Sequence, residues 1–197
     1  MAVILAKPTT SSRRHFSVIK NNVDKKKREK SLCFGMPNYS GRNNRGIVTA
    51  QNRGGGSRKV YRNVDFKQTS FLDQIADVIA IEYDPNRTAN IALIQYPDGS
   101  KSYILSPNGL KHGDTIVCSK SAPIKIGNRM QIKNIPAATQ IFNVELSSGR
   151  GGQMAKSAGG YVTLLGVDGD YAQIKLPSGE VRKILSNCYA SIGVVSN

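Results

Sequence analysis

Apolar and polar residues alternate over short stretches bounded by glycine, proline and aspartate, and no stretch of about ten residues sustains a helical period. Residues 161–167 (YVTLLGV), 170–176 (DYAQIKL) and 180–185 (EVRKIL) predict three strands joined by Asp168-Gly169 and Pro177-Ser178-Gly179, a meander with tight turns. Upstream, residues 76–83 (ADVIAIEY) predict a strand ended by the turn Asp84-Pro85-Asn86. Ile91–Tyr96 and Lys101–Ser106 flank Pro97-Asp98-Gly99-Ser100 as a hairpin. Val60, Arg62 and Val64 alternate with Tyr61, Asn63 and Asp65, so a basic loop over 41–67 feeds another strand. Ser70 could cap a short helix over 71–79 with Phe71, Ile75 and Val78 on one side, but the density of Val and Ile favours a strand. The fold class is therefore all-β: two small barrels in tandem, preceded over residues 1–40 by an extended basic arm that orders on its partner.

Charge sharpens this picture. The 197 residues carry a net charge of +15. Residues 1–67 hold 16 Lys and Arg against Asp24, Glu29 and Asp65, whereas residues 68–197 hold 12 against 10 acids. Such self-repulsion on one third of the chain calls for a polyanion. A membrane surface would need an amphipathic helix, yet residues 20–31 contain Val23 as their one apolar residue, so no membrane partner is expected. No run of about 18 apolar residues exists. Cys33, Cys118 and Cys188 are odd in number and widely spaced, which excludes a disulfide scaffold and fits a reducing compartment. The acid-free start is also that of a mitochondrial transit peptide, but its apolar stretch is too short for a secretory signal.

Catalytic chemistry has no positive sign. His15 and His112 stand apart from other candidate ligands, and the acid pairs Glu82/Asp84 and Asp168/Asp170 bracket turns. The expectation is a protein without catalytic residues, metal or cofactor. The richer signal is glycine: Gly54-Gly55-Gly56 lies between Arg53 and Arg58-Lys59, and Gly149-Arg150-Gly151-Gly152-Gln153 precedes Lys156-Ser157-Ala158-Gly159. Neither is a P-loop or a dinucleotide fingerprint. Glycine lets backbone amides approach a phosphodiester while neighbouring cations neutralise it; the plainer alternative is tight loops between strands. Tyr61 and Phe66 do not make a base-stacking series, so folded RNA read through shape, phosphate and 2′-hydroxyl suits the residue types better.

Several motifs in order extend this reading: KPT and RRH near the start, GRNNRG, RGGG and YRNVDFK, then IEYDPNR and ANIALI, then NIP, NVEL, GGQ, SAG and LPSGEVRK. Over nearly its whole length the chain resembles the bacterial and organellar ribosomal protein L two family. The resemblance implies a basic rRNA-binding arm over 1–40, an OB-type barrel over 41–125 and an SH3-like barrel over 126–197. It also implies partners, namely large-subunit rRNA and other large-subunit proteins, and a structural role near the peptidyl transferase centre in assembly, subunit association and translation. The RNA contacts it implies are Arg13, Arg14 and His15; Arg42, Asn43, Asn44 and Arg45; Arg53, Gly54, Gly55, Gly56, Arg58 and Arg62. In the second barrel they are Gly149, Arg150, Gly151, Gly152, Gln153, Lys156, Ser157, Ala158 and Gly159, with Arg182 and Lys183. Ser57 and Phe142 stand where the family usually has histidine. The family's usual Gly-, Arg- and His-rich C-terminal stretch is absent, so a separate polypeptide supplying it is a further expected partner. Localisation follows as the large subunit of a ribosome. Richness in Asn and Lys points to an organelle, a mitochondrion before a plastid, with a bacterial-type cytoplasm as the other reading. The alternative function is a non-ribosomal OB- or SH3-like RNA-binding factor or RNA chaperone.

Overall fold

A computed structural model describes residues 2–20, 23–24, 28–54 and 56–197. Strands β1 (Ala2–Leu5) and β2 (Ser17–Lys20) pair antiparallel, with Ile4 opposite Val18. Strands β3 (Cys33–Gly35) and β4 (Val60–Arg62) form a second pair. The first barrel is completed by β5 (Ile75–Glu82), β6 (Ile91–Gln95), β7 (Lys101–Leu105) and β8 (Thr115–Val117), in the order β7-β6-β5-β8. The second is one sheet of β9 (Arg129–Gln131), β10 (Gln140–Phe142), β11 (Val162–Asp168), β12 (Tyr171–Lys175), β13 (Val181–Leu185) and β14 (Tyr189–Ile192), in the order β13-β12-β11-β10-β14-β9. The chain is all-β, an OB-type barrel followed by an SH3-like barrel.

The predicted hairpins form for local reasons. In the β6–β7 turn the amide and hydroxyl of Ser100 both donate to Asp98 Oδ1, and Gly99 takes φ +85°. Residues 75–82 form a strand rather than a helix: Ile75 to Asp77 pair with β8, Asp77 to Glu82 pair with β6, and a bulge between Val78 and Ala80 shifts the β6 register. The run Ile91-Ala92-Leu93-Ile94 is buried on both faces. Ala92 and Ile94 join Val78, Ile104 and Ile116 in one core, while Ile91 and Leu93 join Tyr103 and Leu105 in another.

That second core crosses the seam between the barrels. It includes Phe142 and Val195 from the SH3-like barrel, and burying Phe142 contributes about 2 kcal/mol. Backbone pairing reinforces it: the Ser196 amide donates to the Ser106 carbonyl at 2.9 Å and the Asn108 amide to Val194 at 2.7 Å. Phe142 is therefore core in this chain, whereas Ser57 is exposed.

Residues 1–40, expected as an extended basic arm, carry local pairing and contacts to the OB-type barrel. The first part is a β1–β2 hairpin with exposed side chains, including Leu5 and Phe16. By residue 24 the chain has joined the OB-type barrel. Asp24 exchanges hydrogen bonds with Ile81, the Glu29 amide donates to the Tyr103 hydroxyl at 2.9 Å, and Lys101 pairs with Glu29 at 2.9 Å. These partners lie more than 50 residues away in sequence, which is why local patterning does not reveal them.

Candidate nucleic-acid interface

The first concentration of predicted residues is a groove of 1370 Å³. One wall is the segment from Gly35 to Arg42; the other runs from Thr49 through Arg53 and Gly54 to Lys59. Beyond the first wall an Asx turn shapes the GRNNRG loop: Asn43 Oδ1 accepts the amides of Arg45 (2.9 Å) and Ile47 (3.0 Å), and Arg42 bridges Val48. This leaves Arg42, Asn44 and Arg45 exposed while Asn43 builds the loop. Gly41 is required, because a Cβ there would strike the Ala50 carbonyl. Arg42, Arg53, Gly54, Gly56 and Arg58 share the groove lining with Lys59, the other cation that flanks the triple glycine. Gly55 lies outside the described residues.

Asn86 links this groove to a second cluster. Its Nδ2 donates to the Val60 carbonyl at 2.8 Å and its amide to Asp84 Oδ1 at 2.9 Å. Asp84 is buried and receives Arg87 Nε at 2.6 Å, while Arg62 Nη1 stands 3.6 Å from its other oxygen. Arg62 also stands 3.8 Å from Glu82. The carboxylates hold both guanidiniums, so Arg62, predicted as an RNA contact, serves an internal ion-pair network. Arg87 extends over Tyr61 and Phe66, 5.9 and 5.6 Å from the ring centroids, and Lys156 Nζ lies 4.4 Å from the Phe66 centroid. One aromatic ring thus gathers cations from both barrels. Ala158 and Asn197 reach the same region, donating to Thr88 Oγ1 and to the Thr88 carbonyl.

The second glycine cluster has a different construction from the one predicted. Glu145, fully buried, accepts the Gly151 amide and Arg129 Nη2 on Oε1 at 3.2 and 3.0 Å. Its Oε2 accepts the amides of Gly149 and Tyr189 at 3.3 and 3.1 Å. The Arg150 amide donates to Ser147, Gly152 to Phe66 and Gln153 to Val144. The backbone amides that were expected to meet phosphate are used inside the protein. Gly149 and Gly151 take φ of +78° and +87°, and a Cβ on Gly152 would strike Asn143. The loop offers side chains outward instead: Arg150, Gln153 and Ser157 are exposed and Lys156 half-buried, while Gly151 and Gly152 are buried.

Arg129 lies behind Glu145 with no solvent exposure. Its Nε donates to the Lys67 carbonyl at 3.1 Å and Nη1 to the Asn143 carbonyl at 2.8 Å. Burial pushes its pKa down, opposed by the adjacent Glu145 carboxylate. Glu145 lies within the NVEL motif, but nothing local to it or to Arg129 shows that the two pair, since a lone Arg and a lone Glu read as surface residues. Of the remaining candidates, Arg13, Arg14 and His15 follow the β1 end of the hairpin and are exposed. Gly159 is exposed with φ +65°. Arg182 and Lys183 lie on the edge strand β13, where Arg182 pairs with Glu180 at 2.8 Å. Among the described residues, no three or more His, Cys, Asp and Glu side chains gather as a metal site.

Comparison with known proteins agrees with this architecture. The family described as Ribosomal Proteins L2, RNA binding N-terminal domain, matches residues 29–118, and Ribosomal Proteins L2, C-terminal domain, matches residues 125–197. Relatives named large ribosomal subunit protein uL2, from Buchnera aphidicola subsp. Acyrthosiphon pisum strains Tuc7, 5A and APS, are each 51% identical over 199 residues, covering 100% of this chain and 72% of theirs.

Proposed function

The chain belongs to the ribosomal protein L2 family, and from that premise we propose that its groove and its Phe66-centred cluster are two halves of one rRNA-binding surface. The protein is a structural constituent of the large ribosomal subunit and binds its RNA. Other large-subunit proteins are its neighbours. The observation that carries the finer reading is the convergence of Lys156 and Arg87 on Phe66, next to a groove lined by Arg42, Arg53, Arg58 and Lys59. Guanidinium and ammonium groups neutralise phosphates, release counterions and fix orientation. Asp84 holds Arg87 from behind, so that part of the positional entropy of a long side chain is lost before RNA arrives.

RNA contact through the second loop is assigned to Arg150, Gln153, Lys156 and Ser157 rather than to glycine amides, because those amides already donate to Glu145 and Phe66. Arg13, Arg14, His15 and the exposed Arg182 and Lys183 widen the surface. Placement near the peptidyl transferase centre and a part in subunit association rest on the family resemblance, and an organellar ribosome rests on Asn and Lys richness; the relatives named above are bacterial.

The test is binding of the full chain to large-subunit rRNA across a salt series, joined to sedimentation of ribosomes at high salt. With about six phosphates neutralised, affinity falls roughly 10³-fold between 50 and 200 mM salt, by analogy with duplex DNA. The protein is expected to remain in the large-subunit fraction. A weak salt response, or complete release into the supernatant, would favour the non-ribosomal factor instead.

A further inference from the structure

We propose that Glu145, backed by Arg129, is a positioning residue for RNA binding. It holds the 149–152 backbone in one geometry and thereby sets Lys156 on Phe66 beside Arg87. The proposal rests on the rRNA-binding reading of that cluster.

One carboxylate with no exposure receives three backbone amides, from Gly149, Gly151 and Tyr189, together with one guanidinium. All four donors converge on two oxygens, which leaves the carboxylate well satisfied. Arg129 carries the connection across the seam, since it donates to the Lys67 carbonyl in the first barrel and to Asn143 and Glu145 in the second. Residues 66 and 67 are gripped from both sides: Arg129 holds the Lys67 carbonyl, while the Gly152 amide donates to the Phe66 carbonyl at 3.0 Å. Phe66 is the ring on which Lys156 and Arg87 meet.

The ion pair as such is not what stability requires, because well-packed apolar residues commonly replace a buried pair with no loss; what Glu145 adds is an acceptor for backbone amides. An apolar pair would leave the amides of Gly149, Gly151 and Tyr189 without their acceptor, and nothing would dictate the path of the loop. The polar pair contributes a single geometry. Because Arg150 and Lys156 belong to this loop, its geometry decides whether their charges act together with Arg87.

The test uses the full chain with transcribed bacterial large-subunit rRNA as probe, and compares wild type with Arg129→Met/Glu145→Leu, which leaves neither an unpaired buried charge nor a side-chain acceptor for the loop amides. Amide hydrogen exchange without RNA should show Gly149, Gly151 and Tyr189 protected in the wild type and released in the double variant. The strand amides of β12 should stay protected in both. Affinity for rRNA should fall about tenfold, with the salt slope smaller by about one. Adding Lys156→Ala to the double variant should produce little further loss, as expected when both act through one contact. If the double variant does not fold, Glu145→Asp takes its place with the same readouts, because it keeps the charge and withdraws the carboxylate. Unprotected loop amides in the wild type, unchanged affinity despite released amides, or fully additive losses with Lys156→Ala would each overturn the proposal. Wild-type chain that binds no rRNA would overturn the functional reading instead.

Discussion

Arg87 donates through Nε to Oδ2 of Asp84 at 2.6 Å, and the Asp84 side chain has no exposure while that of Arg87 retains 17%. Asp84 also accepts from Asn86 and neighbours Arg62, so a single acid fixes two cations and the end of the YDPN turn. Asp84→Asn should cost about 2–3 kcal/mol, below the full penalty of a broken buried pair because the guanidiniums reach solvent. Urea unfolding should show a lower midpoint with an unchanged slope; an unaltered midpoint would mean that the network is not structural.

Lys156→Ala tests the cation itself. Its contact with Phe66 is worth about 0.5–1 kcal/mol to the fold. Melting should shift little, whereas the salt slope of rRNA binding should drop by about one. A variant that binds with wild-type slope would remove Lys156 from the interface.

Glycines 149 and 152 separate two kinds of constraint. A Cβ on Gly149 meets open space but inherits φ +78°, so Gly149→Ala should cost about 1 kcal/mol. On Gly152 the Cβ would strike the side chain and carbonyl of Asn143, and Gly152→Ala should cost more than about 2 kcal/mol. Thermal melts of the two variants decide the order. Equal small losses would show that the loop yields easily.

Tyr103 and Tyr96 are both pushed up to about 12, chiefly by burial, with nearby acids adding to the shift. A phenol whose folded pKa is raised stabilises the protein fully below its unfolded value of about 10 and loses that contribution as pH rises through about 12. Burial raises Tyr189 as well, so absorbance at about 295 nm should show three of the eight tyrosines titrating late, with alkaline unfolding overlapping the late step. In Tyr103→Phe one late phenol should disappear. Simultaneous titration of all tyrosines near 10 in folded protein would contradict the burial.

The β1–β2 hairpin contributes charge rather than core. Removing residues 1–20 deletes Lys7, Arg13, Arg14 and Lys20. The melting transition should stay in place while the salt slope falls by roughly three. A large drop in melting temperature would assign the hairpin a structural task.

Much of the fold was legible because its signals are local. Asp98-Gly99 and Asp168-Gly169 specify their own turns, and the β-branched density of residues 76–82 favours the strand that forms over the short helix that Ser70 could cap. The short strands β8, β9 and β10 were not legible, since three residues are too few to show a period. Net charge and its concentration in the first 67 residues likewise indicated a polyanion without reference to any contact.

The sequence by itself determined the all-β class, the tandem barrels and the concentration of positive charge in the first third of the chain. Only the tertiary structure decided which charges look outward. Arg62 and Arg58 are alike in sequence, yet one is held against Glu82 and Asp84 while the other lines the groove. The glycine loop makes the same point: its amides were free to be assigned to phosphate until Glu145, buried beside Arg129, was found to accept them. The physical reason is that a turn or a strand is set by interactions among near neighbours, whereas the partner of a buried charge is set by packing between segments far apart in the chain.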